Sequence, residues 1–229
     1  MRRSMAGEMI LYSGSLSMFG AKVQIALIEK AIDYRLVMVP YDRDRGYQPR
    51  HPEVVRVNPK QQVPILIDGD VELFDSTQIF EYLEDVRPAL PLWPREAVAR
   101  AAARQLEMKS DEVYFPHVVR LMGLQERPDD PAAVAARDAA ARYYLEMEAR
   151  LADREWLAGA YTFADITFYM AALFGERMGA MLGAETPKLL AWRERMTSRP
   201  SVMPVVATMA AYLSSQRRPV PGWLAAAVR

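Results

Sequence analysis

Val63-Pro64-Ile65-Leu66-Ile67-Asp68-Gly69-Asp70-Val71-Glu72-Leu73-Phe74 is the stretch on which the fold turns. Two short apolar runs flank Asp68-Gly69-Asp70, and an Asp-Gly pair between β-forming residues signals a tight hairpin. Just after it, Ile79, Leu83 and Val86 fall on one helical stripe. Toward the N-terminus, Met9-Ile10-Leu11-Tyr12 reads as a buried strand that runs into the loop Ser13-Gly14-Ser15. Residues 19–30 then repeat Val23, Ala26 and Leu27 at helical spacing, and residues 34–39 are rich in β-formers. Residues 41–58 are polar and read as a variable connection. The order is therefore βαβ, a connection, then ββα.

That order is what a thioredoxin-like sheet needs. Pro88, Pro91 and Pro94 follow it closely, in a stretch that cannot continue a helix and reads as a stiff linker. Beyond Arg95 no strand pattern recurs. Long Ala, Leu, Met, Glu and Arg segments are instead broken at Pro128-Asp129-Asp130-Pro131, Gly159, Gly183 and Pro200. Thr162-Phe163-Ala164-Asp165 carries the pattern of a capping box, in which the hydroxyl caps the first amides and the carboxylate reaches back. The expected architecture is an α/β, thioredoxin-like N-terminal domain (residues 9–86), a linker (87–95) and an all-α C-terminal helix bundle (96–229).

Composition narrows the function. Half of the 229 residues are apolar, enough for a sizeable core. Lys plus Arg and Asp plus Glu number 29 each, so no basic field draws nucleic acid or an anionic membrane. The absence of cysteine excludes disulfides, Cys-based zinc sites and any thiol chemistry of the protein's own. His51 and His117 lie far apart and make no metal-ligand set. Residues 1–8 are charged, with too short an apolar run after them for a signal sequence, and read as a disordered extension. No apolar run is long enough to span a membrane, so the expected compartment is the cytoplasm.

Ser17-Met18-Phe19-Gly20-Ala21-Lys22-Val23, Val63-Pro64, Asp75-Ser76, the box at Thr162 and Asp165, and Trp192 with Arg199 and Pro200 occur in this order. Together they resemble the cytosolic glutathione transferase family, in its serine-type, bacterial-like form. Met18 stands where many relatives carry a proline after the serine. The resemblance implies glutathione as co-substrate, no metal, and a homodimer. It also implies conjugation of the glutathione thiolate to small, largely apolar electrophiles, a detoxification chemistry. Related proteins use the same fold for glutathione-dependent isomerisation, dehalogenation or ether cleavage, and others are non-catalytic binding or regulatory modules.

Carried over residue by residue, the resemblance makes Ser17 the donor to the glutathione sulfur, with Ser15 as the alternative if the loop shifts register. Read alone, Ser17 also fits a simple helix cap. Val63 and a cis Pro64 would pair with the cysteinyl part; Asp75 and Ser76 would hold the γ-glutamyl end. Arg50 and Gln62, with His51 or Gln61 beside them, would meet the glycyl carboxylate. Leu16, Met18, Tyr114, Phe115 and His117, with Met122, would wall the pocket for the second substrate. Aromatic and Met residues at helical spacing are also ordinary core.

Overall fold

The computed structural model describes residues 8–42, 45–48 and 50–228. Most of the expected N-terminal extension thus lies outside the described residues, whereas Glu8 meets Arg35 at 2.8 Å.

Strands β1 (Ile10–Gly14), β2 (Arg35–Val39), β3 (Ile65–Asp68) and β4 (Val71–Phe74) form one sheet in the order β2-β1-β3-β4. β1 and β2 are parallel, joined across helix α1 (Met18–Glu29); the other pairings are antiparallel. Asp68 faces Val71 across the Asp-Gly turn, and Gly69 sits at φ +60°, the left-handed region that such a turn requires. Helix α3 (Ser76–Val86) follows at once. The polar connection is not wholly irregular: Pro52–Val57 forms a short helix, α2, with His51 as its cap and Pro52 at its first turn. Its apolar content is too small for periodicity to reveal it, and only packing of Val54 on the far face of the sheet, beside Tyr12, Val39 and Ile65, holds it there.

Among the described residues no strand follows β4. Helix α4 (Ala97–Lys109) runs into a π turn at Ser110–Tyr114, then α5 (Phe115–Arg120) and a 3-10 turn at Leu121–Leu124. Helices α6 (Pro131–Leu151), α7 (Phe163–Arg177), α8 (Pro187–Thr197), α9 (Met203–Ser215) and α10 (Gly222–Ala227) complete the bundle. The breaks fall where Pro and Gly place them. No helix among the described residues is long and apolar enough to cross a membrane.

The apolar contacts do not stop at the linker. One core runs from Leu11 and α1 through Phe80 and Phe163 to Trp192 in α8. Helix α1 lies between the sheet and α7, which explains why it is buried on nearly every side and shows little amphipathic pattern. Ion pairs tie the same contact: Arg199 grips Glu29 through Nε and Nη2 at 2.8 and 3.0 Å.

Lys30, fully buried at the end of α1, organises the linker. Its Nζ donates to Glu84 Oε2 at 2.7 Å and to the carbonyls of Arg87 and Leu90 at 3.1 and 2.7 Å. Glu84 in turn accepts from the amides of Leu92 and Trp93. Lys30→Met keeps the apolar stem and removes the charge, stranding a carboxylate and two carbonyls. Urea unfolding should show a loss of about 3 kcal/mol; an unchanged midpoint would mean that the linker is held by its prolines alone.

Candidate functional site

The site begins with how β1 hands over to α1. The chain turns through Ser15 and Leu16, with the Ser17 amide bonded to Gly14 O at 3.0 Å. Ser17 is the cap of α1: its Oγ accepts from the Gly20 amide at 3.0 Å. A hydroxyl that accepts in this way still has its one hydrogen to give. Gly20 is needed at that point, because a Cβ there would sit 2.1 Å from Ser13 Oγ. Ser13 itself is fully buried and accepts from Gln24 Nε2 at 3.0 Å. Ser15 lies in the turn and does not line the cavity that holds Ser17.

That cavity has a volume of about 420 Å³. Of the residues expected from the sequence, Leu16, Met18, Arg50, Gln62, Val63 and Phe115 line it together with Ser17. A smaller cavity of about 130 Å³ adjoins it, sharing Phe19, Gln62 and Val63 and adding Pro64, Asp75 and Ser76. The Val63–Pro64 peptide bond is cis, as the resemblance implies. Asp75, at φ +74°, caps α3 by accepting from the amides of Thr77 and Gln78, and Ser76 is buried at the first position of that helix. Glu112 and Lys60 close this end. Arg50 donates to Gln61 Oε1, which holds the two on the rim, and His51 caps α2 through Nδ1.

Two expected pocket residues lie elsewhere. Tyr114 is 1 % exposed and belongs to the core, its Oη 2.6 Å from that of Tyr144, which donates to Ala180 O. His117 lines neither cavity. The reason is helical phase. Phe115, Val119 and Met122, at i, i+4 and i+7, form the stripe that faces the cavity. Tyr114 and Val118, one residue earlier in each turn, form the stripe that faces the core. His117 sits two residues after Phe115, about 200° round the helix. The π turn that ends at Tyr114 sets this phase, since its wider turn shifts every later residue relative to α4.

Tyr47 is a lining residue that sequence reading passes over, because it stands in the polar connection. Its Oη accepts from the Leu16 amide at 3.2 Å, and its ring packs where a side chain on Gly14 would be. Burial pushes the Tyr47 phenol up to about 12, so it stays protonated at neutral pH. Past Leu16, Tyr47, Met122 and Phe174 the space continues into a third cavity of about 340 Å³ that reaches Arg177 and Arg218. Burial, with the Arg218 charge beside it, lowers the Arg177 guanidinium to about 10, which leaves it a cation. Among the described residues no group of three or more His, Cys, Asp and Glu side chains could hold a metal ion.

A thioredoxin-like sheet, a helical domain packed on it and a serine-capped helix at the cleft between them define the class. The sequence pattern of the glutathione S-transferase N-terminal domain matches residues 11–91, and that of the C-terminal domain matches residues 111–200. The chain belongs to the cytosolic glutathione transferase family, whose co-substrate is glutathione. Glutathione S-transferase U25 of Arabidopsis thaliana is 28% identical over 86% of this chain and 88% of its own length. Maleylacetoacetate isomerase of Mus musculus is 41% identical over 102 residues, 44% of this chain; the match spans just under half, 46%, of the isomerase. A glutathione S-transferase from the Antarctic clam Laternula elliptica superposes with a TM-score of 0.76 at 26% identity, covering 87% of this chain and 92% of the clam protein.

Proposed function

We propose that this chain conjugates the glutathione thiolate to a small, largely apolar electrophile, with Ser17 holding the thiolate. The observation that carries the reading is the geometry of Ser17: its oxygen caps α1, its hydroxyl hydrogen is uncommitted among the described residues, and it stands on the wall of the cavity of about 420 Å³. A free thiol has a pKa near 8.5. Lowering it by about two units takes roughly 2.7 kcal/mol. A hydrogen bond to a charged group supplies about 1.5 to 3 kcal/mol, and a helix N-terminus up to about 2. Capping and catalysis are therefore one arrangement at Ser17.

In this reading the γ-glutamyl end lies in the smaller cavity, its carboxylate at the start of α3 by Ser76 and its amine near Asp75. The cysteinyl backbone runs beside Val63 and Pro64, and the glycyl carboxylate meets Arg50 with Gln61 and Gln62 on the rim. The electrophile then packs on Leu16, Met18, Phe115 and Met122. A homodimer, the assembly the resemblance implies, belongs to the same reading.

A second reading keeps the cradle and changes the outcome: glutathione adds and leaves again, as in isomerisation. The match to the mouse isomerase supports it. The two differ in whether glutathione is consumed. The test of both is the ultraviolet absorbance of bound glutathione thiolate against pH. The expected apparent pKa lies about two units below that of the free thiol. A thiol that titrates as in water while bound would leave a glutathione-binding module with no conjugating role.

A further inference from the structure

Arg177 presents an unusual arrangement at the end of α7. Among the described residues its Nε and Nη1 are buried and have no hydrogen-bond partner. The charged and phenolic groups acting on it are Arg218, Tyr41 and Tyr47, a second cation and two phenol rings. Among the described residues that line this cavity there is no carboxylate. Buried guanidinium N–H groups are nearly always paired, and two cations side by side repel. Both features suit an anion supplied from outside the described residues.

The C-terminal segment is built to bring Arg218 there. α9 ends at Ser215, Arg217 takes a left-handed turn at φ +51°, and the Arg218 amide bonds back to Leu213 O at 2.9 Å. The Arg218 guanidinium lies 5.7 Å from the centre of the Tyr41 ring, and Tyr212 Oη donates to Tyr41 O. On the far side of Pro219, Trp223 in α10 donates through Nε1 to Glu176, the neighbour of Arg177, while Arg193 pairs with the same carboxylate at 2.6 Å and covers the Trp223 ring. Glu176 is thereby spent on Arg193 and Trp223. It fastens the segment, and the contact that Arg177 keeps is with the Phe174 ring, 6.0 Å from its guanidinium.

We propose that Arg177 and Arg218 form a clamp for a carboxylate on the second substrate, so that the acceptor is an apolar or aromatic acid and Arg218 is a specificity-determining residue supplied by the C-terminal segment. The clamp rests on the function proposed above, since the cavity it closes joins that of Ser17 through Leu16, Tyr47, Met122 and Phe174. Those four shared residues are mainly apolar and suit the body of such an acid between its reacting carbon and its carboxylate. Planar guanidinium groups match a planar carboxylate, and a dry, apolar surround strengthens the pairing.

The test uses probes that carry no glutathione. Isothermal titration of biphenyl-4-carboxylate and biphenyl-4-carboxamide compares a charged ligand with a neutral one of the same shape. Wild type should bind the acid about tenfold or more tighter than the amide. Arg177→Gln and Arg218→Gln should each cut that preference to about threefold or less, with Arg218→Lys restoring part of it. Trp223→Phe, which releases the segment from Glu176 without touching the cavity, should lower the preference less than Arg218→Gln does. Wild type that fails to prefer the acid, or fails to bind either probe, overturns the clamp, as does a preference that survives loss of both arginines. Glutathione titrated separately keeps the two readings apart. If it does not bind while the acid preference depends on the arginines, the two arginines remain a carboxylate site, and the transferase reading falls together with the acid's role as second substrate.

Discussion

Asp165→Ala should lower the unfolding free energy by about 3 to 5 kcal/mol, the largest stability effect expected of any single change here. Asp165 is fully buried beneath the start of α7. One carboxylate oxygen accepts from the Leu157 amide and Trp192 Nε1, each at 3.0 Å. The other accepts from the Thr162 amide at 3.0 Å and from the Thr162 hydroxyl at 3.4 Å. Alanine would strand these donors in an apolar surround, and each unsatisfied buried group costs about 1 to 3 kcal/mol. Asp165→Asn should lose less, because its oxygen keeps one pair of donors while its amide meets the other pair donor to donor. Chemical or thermal unfolding reads the difference, and a loss below about 1 kcal/mol for alanine would show that water takes over the site.

Asp165 also sets a pH dependence. Burial raises its carboxyl from 3.8 to about 6 against the hydrogen bonds that favour the anion. The native state thus holds the proton to higher pH than the unfolded chain does. Its contribution to stability falls as pH rises from about 4 to about 6 and is level above. The stability gap between wild type and Asp165→Asn should therefore be wider near pH 4 than near pH 7.

Ser17→Ala should lower turnover by about 10- to 100-fold. In the proposed mechanism the hydroxyl acts on the reacting sulfur, and its loss should raise the bound thiol's pKa by about one to two units, or 1.4 to 2.7 kcal/mol. The N-terminus of α1 continues to act, which limits the effect. Affinity for glutathione should change less than turnover does, since the contacts proposed at Asp75, Ser76 and Arg50 are untouched. Ser17→Ala also removes a cap worth about 0.5 to 2 kcal/mol. Ser17→Gly keeps most of the cap's value and loses the donor. If both variants keep wild-type turnover and only Ser15→Ala shifts the thiol titration, the sulfur contact lies two residues earlier in the loop.

Several features of the site were legible because they are local. Ser17 before an apolar helix, a Val-Pro pair opening a strand, Asp75-Ser76 ahead of a helical stripe and Thr162 three residues before Asp165 are patterns that short-range geometry imposes. The pairing of Trp192 Nε1 with Asp165 was visible only as two motif positions, 27 residues apart, with no sign of the bond that joins them. Tyr47 and α2 were invisible inside a polar stretch, because their order comes from packing on Gly14 and on the sheet.

Hydrophobic period, turn residues and caps placed the strands and helices of this chain and marked its serine, because each depends on neighbours a few residues away. Period alone, however, records the relative phase of side chains within a helix and says nothing of which way that helix is turned in space. Helix α5 shows the consequence: a single π turn put Phe115 in the cavity and Tyr114 in the core. Lys22 and Asp111, 89 residues apart, meet at 2.5 Å, and Arg177 and Arg218 share one cavity. Such meetings are decided by how α1, α7 and the C-terminal segment pack, where the balance of many weak contacts sets distances that no local pattern contains.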